Sequence, residues 1–326
     1  MPCPPDRLAD GVIDHPAWTP ETFDALVHPH RRELLVHCYR MLGSIDDAED
    51  AVQEALTRAW FGRDTYIRSI SLRAWLYKIA TNASLNAIER RTRSRRAGLS
   101  VVPVPDAVLG GVTAWDPGPE ARYAARESIS LAFLTVLQLL PPRQRAILLL
   151  RDVLSWHADE VADLLDLSVP AVNSALQRAR ATVRTRFAPA GEGAVEVASP
   201  LAPQLRSLLD RYVRAWEAAD IAGLVRLLRD EAVLAMPPMP SVVGGKAIGA
   251  FLADRIFAGR AGRQLIETEA NGQPAFVAYS QPAGGGPFAA VSLLVLTVEG
   301  DRVARLDAYA NPAIIARFGL PSALPG

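Results

Sequence analysis

Between residues 46 and 54 the chain places Asp46, Asp47, Glu49, Asp50 and Glu54, with no base among them. Asp47, Asp50 and Glu54 recur at three- and four-residue spacing, so a helix carries them on one face and turns Val52, Leu56 and Trp60 toward a core. Residues 73–96 are the opposite: Arg73, Lys78, Arg90, Arg91, Arg93, Arg95 and Arg96 stand against Glu89 alone. A third stretch, SVPAVNSALQRARATVR, begins at Ser168 and holds Arg178, Arg180 and Arg184 with no acid. The formal net charge is zero, but screening confines each charge to its neighbourhood, so the segregation matters more than the sum. One acidic face and two basic ones imply different partners.

The third stretch reads as a helix with Ser168 as N-cap and Pro170 in the first turn. Val169, Val172, Leu176 and Ala179 follow an apolar face, leaving Asn173, Ser174, Gln177, Arg178 and Arg180 on other faces. A shorter helix from about His157 to Leu165 precedes it across the turn DLS, giving a helix-turn-helix pattern. Asn173, Ser174, Gln177 and Arg178 suit base edges, since amides pair with adenine and arginine with guanine in the major groove. Arg180 and Arg184 suit phosphates, which position without specifying.

These faces need elements to hold them. At 326 residues, half of them hydrophobic, the chain supports two or three domains with real cores. Apolar spacing predicts helices across 21–96, a proline- and glycine-rich linker over 97–120, helices over 121–187, a second linker over 188–203, and a different texture over 204–326. That last part reads as two helices, a strand at EAVLAM and a helix at KAIGAFLADRIFA. LIETEA, PAFVAYS, FAAVSLLVLTV and RVARLDAY then form an antiparallel meander, with turns at NGQ and EGD. The expected fold is multidomain: two all-α units and a C-terminal α+β unit whose sheet wraps its helices. Two cysteines, Cys3 and Cys38, build neither a disulfide framework nor a zinc quartet, so no metal and no cofactor are expected. The start lacks signal-peptide features and the longest apolar run is too short to span a bilayer as a helix, so a soluble cytoplasmic protein with no membrane partner is expected.

CYRMLGSIDDAEDAVQEALTRAW, LRAWLYKIATNASLNAIERR and LPPRQRAILLLRDVLSWHADEVADLLDLSVPAVNSALQRARATVR together resemble the sigma-70 family, in its extracytoplasmic-function type of RNA polymerase sigma factor. The resemblance covers about residues 25–187. It implies a first block, region 2, that docks on the β′ clamp of core RNA polymerase and opens the minus-ten promoter element. It implies a last block, region 4, that reads the minus-thirty-five element and touches the β flap, with a linker that packs on neither. On this reading Asp47, Asp50, Gln53 and Glu54 bind the polymerase. Tyr66 and Asn82 form a pocket for an unpaired minus-ten base, and Arg73, Lys78, Arg90 and Arg91 hold the backbone. Ser168, Asn173, Ser174, Gln177, Arg178, Arg180 and Arg184 face the minus-thirty-five DNA. Trp75, by its spacing to Leu72 and Ile79, belongs to the core. Ala175 stands where relatives often have arginine, which implies one fewer DNA contact.

Residues beyond about 203 resemble SnoaL-like domains of the NTF2-like superfold, a fold that hosts enzymes, binding proteins and assembly modules. Tyr212, Trp216, Met236, Met239, Asp307 and Tyr309 are the expected pocket lining. No His lies near Asp307, and Arg305 can pair with it on the same strand. The reading is therefore a non-enzymatic domain that regulates the sigma regions by intramolecular contact, with IIARFGLPSALP as a latch. The alternative is a SnoaL-like small-molecule enzyme or ligand sensor fused to a DNA-binding module.

Overall fold

A computed structural model describes residues 18–66, 71–93, 101–109, 129–187 and 202–326. The first unit is a bundle of α1 (Pro20–Val27), α2 (Arg31–Leu42), α3 (Ile45–Gly62) and α4 (Leu72–Arg93). Ser44 caps α3 by accepting a hydrogen bond from the Asp47 amide, and Asp46 and Asp47 in the first turn favour the positive end of the helix. Gly43 ends α2 at φ +74°, and a Cβ there would meet the Gln138 side chain at 3.1 Å. Glycine thus serves both the left-handed cap and a close helix approach.

The second unit comprises α6 (Leu131–Leu139), α7 (Pro142–Leu148, extended by a π-turn at Leu149–Val153), α8 (Ala158–Leu165) and α9 (Val169–Phe187). Between the two units, residues 101–109 run along a groove and form the short α5 (Asp106–Leu109). Val101, Val104 and Leu109 are buried there. This overturns the expected linker that packs on neither domain, at least for 101–109. The apolar side chains of VVPVPDAVL find a groove to fill. The rest of 97–120 lies outside the described residues, as do 121–128 and most of 188–203.

The C-terminal unit starts with α10 (Ala202–Glu217) and α11 (Ile221–Leu227), continues through β1 (Leu228–Ala235), β2 (Val242–Val243) and α12 (Gly245–Phe251), and closes with β3 (Arg260–Ala270), β4 (Gln273–Pro282), β5 (Phe288–Glu299), β6 (Arg302–Tyr309), α13 (Pro312–Ala316) and β7 (Ala323–Leu324). The sheet order is β2-β1-β6-β5-β4-β3, with β7 added to β5; β1 and β6 are parallel and the expected meander β3 to β6 is antiparallel.

Both faces of this sheet are covered. Side chains alternate along a strand, so Phe276, Ala278, Leu294, Leu296, Leu306 and Ala308 join the core inside the cone. Their neighbours Val277, Tyr279, Leu293, Val295 and Tyr309 join a separate cluster shared with α2, α3, α4, α7 and α9. That is why the four residues 293–296, LLVL, are apolar without a break, since a strand buried on both faces loses its alternation. The outer face of the cone is the floor on which the helical units sit.

Candidate functional site

α3 carries the acidic face. Asp46, Glu49, Asp50 and Gln53 are exposed, whereas Val52 and Leu56 are buried and Trp60 half-buried. The two charge classes expected to serve separate partners are interleaved. Arg90 Nη2 lies 2.9 Å from Glu54, which Arg58 also binds, and Arg91 lies 3.5 Å from Asp47. The cause is the packing of α3 along α4, which brings the last turn of α4 beside the carboxylates. Asp50 and Gln53 retain open water-facing positions. On the same stripe, two turns beyond Glu54, Phe61 is 77% exposed. Sequence reasoning missed it because only charges were counted; its position eleven residues after Asp50 was the available signal.

The minus-ten candidates divide. Tyr66 is half-buried, with ring centroids 5.1 Å from Trp75 and 6.5 Å from Trp18. Trp75 is itself half-buried, so it packs with Tyr66 rather than lying deep in the core. Residues 67–70 fall outside the described residues. Asn82 is half-buried on α4. Arg73 is committed internally: its Nε donates to Glu33 at 2.8 Å and its guanidinium lies 5.2 Å over Tyr77. Burial pushes Glu33 up, but the His30 bond and the Arg73 charge outweigh it and hold the carboxyl below its ordinary range. Nearby, His37 is fully buried, with Nε2 2.9 Å from Thr81 Oγ1. Burial, reinforced by Arg40, pushes it down to about 3. Lys78 crosses to the second unit, donating at 3.0 Å to the Asp163 carbonyl and to Asp166.

On α9, Ser168 Oγ accepts from the Ala171 amide at 3.4 Å, as an N-cap does. Asn173, Ser174, Gln177, Arg178, Arg180 and Arg184 are all exposed. Arg180 forks onto Asp152 at 2.6 and 2.9 Å. Two expectations fail here. Val169 is 38% exposed and Ala175 is buried, because the inward stripe runs Val172, Ala175, Leu176, Ala179. Ala175 therefore faces the core and marks no vacant place on the DNA side.

The three units meet at the β3–β4 hairpin tip. Asn271 and Gly272 have φ of +56° and +71°, the type I′ turn that Asn-Gly favours. Asn271 is fully buried. Its Oδ1 accepts from the Val104 amide at 3.0 Å, and its Nδ2 donates to Tyr39 Oη of α2 at 3.0 Å and to the Ile129 carbonyl at 2.9 Å. Gln273 Oε1 accepts from the Leu131 amide at 2.9 Å, satisfying one of the donors that a helix start leaves open. The Gly272 amide donates to Asp106 at 2.7 Å. One turn thus bonds the first unit, the linker and the second unit. The two helical units also bond directly: buried Arg145 donates to the Met41, Gln138 and Leu140 carbonyls. Burial, reinforced by Arg91, brings its guanidinium down to about 10. The sequence marked NGQ as a turn and nothing more.

The expected pocket residues separate just as plainly. Trp216 and Met236 line a cavity inside the cone. Tyr212 is buried between Trp216 and Phe276 at centroid distances of 6.0 and 5.9 Å, so it is core. Met239 is 46% exposed. Asp307 and Tyr309 point to the outer face, because on β6 the cavity side belongs to Leu306 and Ala308; a one-residue change of parity moves a side chain across the sheet. Asp307 is buried and clamped by Arg305 at 2.8 to 3.0 Å. Burial, then Asp307 and Tyr39, push the Tyr309 phenol up, consistent with its place on the seam with α2. The C-terminal segment lies there too: Ile314 and Ile315 join the shared cluster and Arg317 binds Asp46.

A helical unit with an acidic stripe, a helix-turn-helix with an exposed amide and arginine face, and an α+β cone define a sigma-70 type of transcription factor with an extra domain. Residues 26–94 match Sigma-70 region 2, residues 130–183 match Sigma-70 region 4, and residues 209–306 match the SnoaL-like domain. The chain is 42% identical over 318 residues to the ECF RNA polymerase sigma factor SigG of Mycobacterium tuberculosis, spanning 93% of this chain and 85% of that one. It is 32% identical over 209 residues to SigJ of the same organism, spanning 64% of this chain and 62% of SigJ. The crystal structure of Mycobacterium tuberculosis SigJ superposes with a TM-score of 0.64 at 25% identity, over 91% of this chain and 99% of that chain. The chain belongs to the ECF family of RNA polymerase sigma factors. It carries a C-terminal SnoaL-like extension, and its function is that of a sigma factor rather than an enzyme. Among the described residues no helix is long and apolar enough to cross a membrane.

Proposed function

We propose that this sigma factor acts in the cytoplasm on core RNA polymerase and promoter DNA, and that its SnoaL-like domain holds regions 2 and 4 in a closed arrangement that must open for initiation. The α3 stripe docks on the β′ clamp through Asp50, Gln53 and the neighbouring carboxylates, with Phe61 as an apolar anchor; charge steers such a contact and an aromatic anchor holds it. Region 2 takes the minus-ten element through Tyr66, Asn82, Lys78, Arg90 and Arg91. The exposed face of α9 takes the minus-thirty-five element, and region 4 meets the β flap.

The single observation that carries the closed reading is the hairpin tip, where buried Asn271 bonds region 2, the linker and the start of region 4 at once. The two promoter elements lie roughly 25 base pairs apart, or roughly 85 Å along B-DNA. Region 2 and region 4 are instead in contact, with Lys78 of one 3.0 Å from Asp166 of the other. No rigid docking of this arrangement reaches both elements. The contact also spends Lys78, a side chain that the DNA needs.

The test is transcription in vitro with core polymerase and full-length chains, comparing the parent with Asn271→Ala. A rise in promoter-dependent transcript from the variant is expected. Unchanged or lower output, with the variant folded, removes the closed-state role.

A further inference from the structure

The cone encloses a cavity of about 130 Å³ whose walls include Trp216, Phe257 and Leu294. An apolar cavity of about 150 Å³ accepts one benzene ring, so the space fits a single ring or a short branched chain. Its polar side is uneven in a particular way. Arg263 on β3 and Ser280 on β4 both line it and are direct cross-strand partners. Arg263 Nη2 donates to the Phe257 carbonyl at 2.6 Å and the guanidinium lies 4.8 Å over the Phe257 ring. The side chain is therefore fixed in place, yet its Nε is buried with no partner, and so is Ser280 Oγ across the strand pair. Ser280 is only 8% exposed. Buried polar groups are ordinarily paired, and two orphans side by side on one cavity wall need a reason.

Arg255 and Arg260 also line the cavity, and both are exposed. Among the described residues neither guanidinium enters an ion pair or a hydrogen bond, although the Arg260 carbonyl accepts from Arg263 Nη2 at 3.4 Å. No carboxylate lines the cavity. Three guanidiniums beside an apolar chamber, with a hydroxyl opposite one of them, match a planar anion: a guanidinium fork takes two carboxylate oxygens and a hydroxyl donates a further bond. The π-turn at Leu252–Phe257, which supplies Arg255 and Phe257 to the wall, is a distortion frequent at functional sites.

We propose that this cavity is a binding site for a small carboxylic acid with one ring or a short apolar chain, its carboxylate held by Arg263 and Ser280 and attracted by Arg255 and Arg260. The site does not depend on the docking and closed-state readings above. Its test uses neither polymerase nor DNA, so the two fail separately.

The experiment is calorimetric titration of the full-length chain with phenylacetate and with 2-phenylethanol, which keeps the ring and lacks the charge. Phenylacetate is expected to bind at least roughly tenfold more tightly, and Ser280→Ala and Arg263→Gln to weaken it by a similar factor while leaving the alcohol unchanged. Because Arg263 also holds the Phe257 carbonyl, the double variant Arg255→Ala with Arg260→Ala, at exposed positions, gives an arm independent of folding and is expected to weaken the acid alone. Equal affinity for acid and alcohol, no acid binding at millimolar concentration, or full affinity in all three variants would each overturn the assignment.

Discussion

The α3 stripe and the β3–β4 hairpin tip solve opposite problems with opposite chemistry. The stripe is exposed, charged and shared with solvent; each of its ion pairs contributes about 0–1 kcal/mol and weakens with salt. The tip is buried at Asn271, an uncharged side chain whose three hydrogen bonds use both of its polar atoms. Each partner left unpaired there costs roughly 1–3 kcal/mol. A surface meant for another molecule relies on long-range attraction, which costs little when empty. A contact within the chain relies on groups that are satisfied in one geometry alone.

The sharpest way to break that contrast is at Asn271. Asn271→Ala orphans the Val104 amide and the Ile129 carbonyl and places at φ +56° a residue that tolerates the left-handed region less well than Asn. Several kcal/mol of inter-domain docking should be lost, read by small-angle scattering as an expanded chain and by faster proteolysis within the 97–120 linker. Asn271→Gly removes the hydrogen bonds without the strain, so a matching expansion assigns the effect to the bonds; a compact Gly variant would assign it to the backbone. Neither effect should change with salt.

On the other surface, Asp50→Arg and Phe61→Ser should each weaken core polymerase binding, by roughly ten- to a hundredfold, with the melting temperature unchanged, since alanine-scale losses at anchors are about 2 kcal/mol or more. The Asp50 effect should shrink as salt rises and the Phe61 effect should not. Equal affinity for either variant would remove that residue from the dock.

The next effect belongs to the helical core beneath both surfaces. His37 sits near pKa 3 in the folded chain, against about 6.5 when unfolded. The folded state therefore holds it neutral, and below about pH 6.5 the unfolded chain gains a proton that the native one refuses. Stability should decline by roughly 1–2 kcal/mol between pH 6.5 and 5 and continue falling toward pH 3. His37→Gln should flatten that slope in melts across the range; an unaltered slope would place the titration elsewhere.

The smallest effect is expected where a charged contact crosses the seam. Arg317 and Asp46 are both solvent-accessible, so Arg317→Ala should alter docking by under about 1 kcal/mol, with the scattering profile of the parent. A collapse comparable to Asn271→Ala would reverse the ranking of charge and buried hydrogen bond.

How far the sequence could be read follows the same line. Helices α3, α8 and α9 were legible because each has one wet face, which periodicity reports, whereas the meander was legible from apolar runs separated by the turn residues of NGQ and EGD. The exposed amides and arginines of α9 followed from the same rule. Val169 and Ala175 exchanged places because an apolar stripe three to four residues wide leaves its edge undecided by one position. Asp307 and Tyr309 were misplaced by strand parity, which hydrophobicity cannot set where both sides are covered. Asn271 was invisible as a clasp, since Asn-Gly specifies a turn and carries no record of what the turn touches. Cross-domain pairing, such as Arg145 with the Met41 carbonyl, has no local signal at all.

The two-sided burial of the cone sheet has one more consequence. Val277, Tyr279, Leu293 and Val295 form an oily floor beneath the helices, and lifting the helices away wets it. Opening is then an exchange of covers: whatever frees the sigma regions must supply a new lid for that floor, or the chain will find one in its own neighbours.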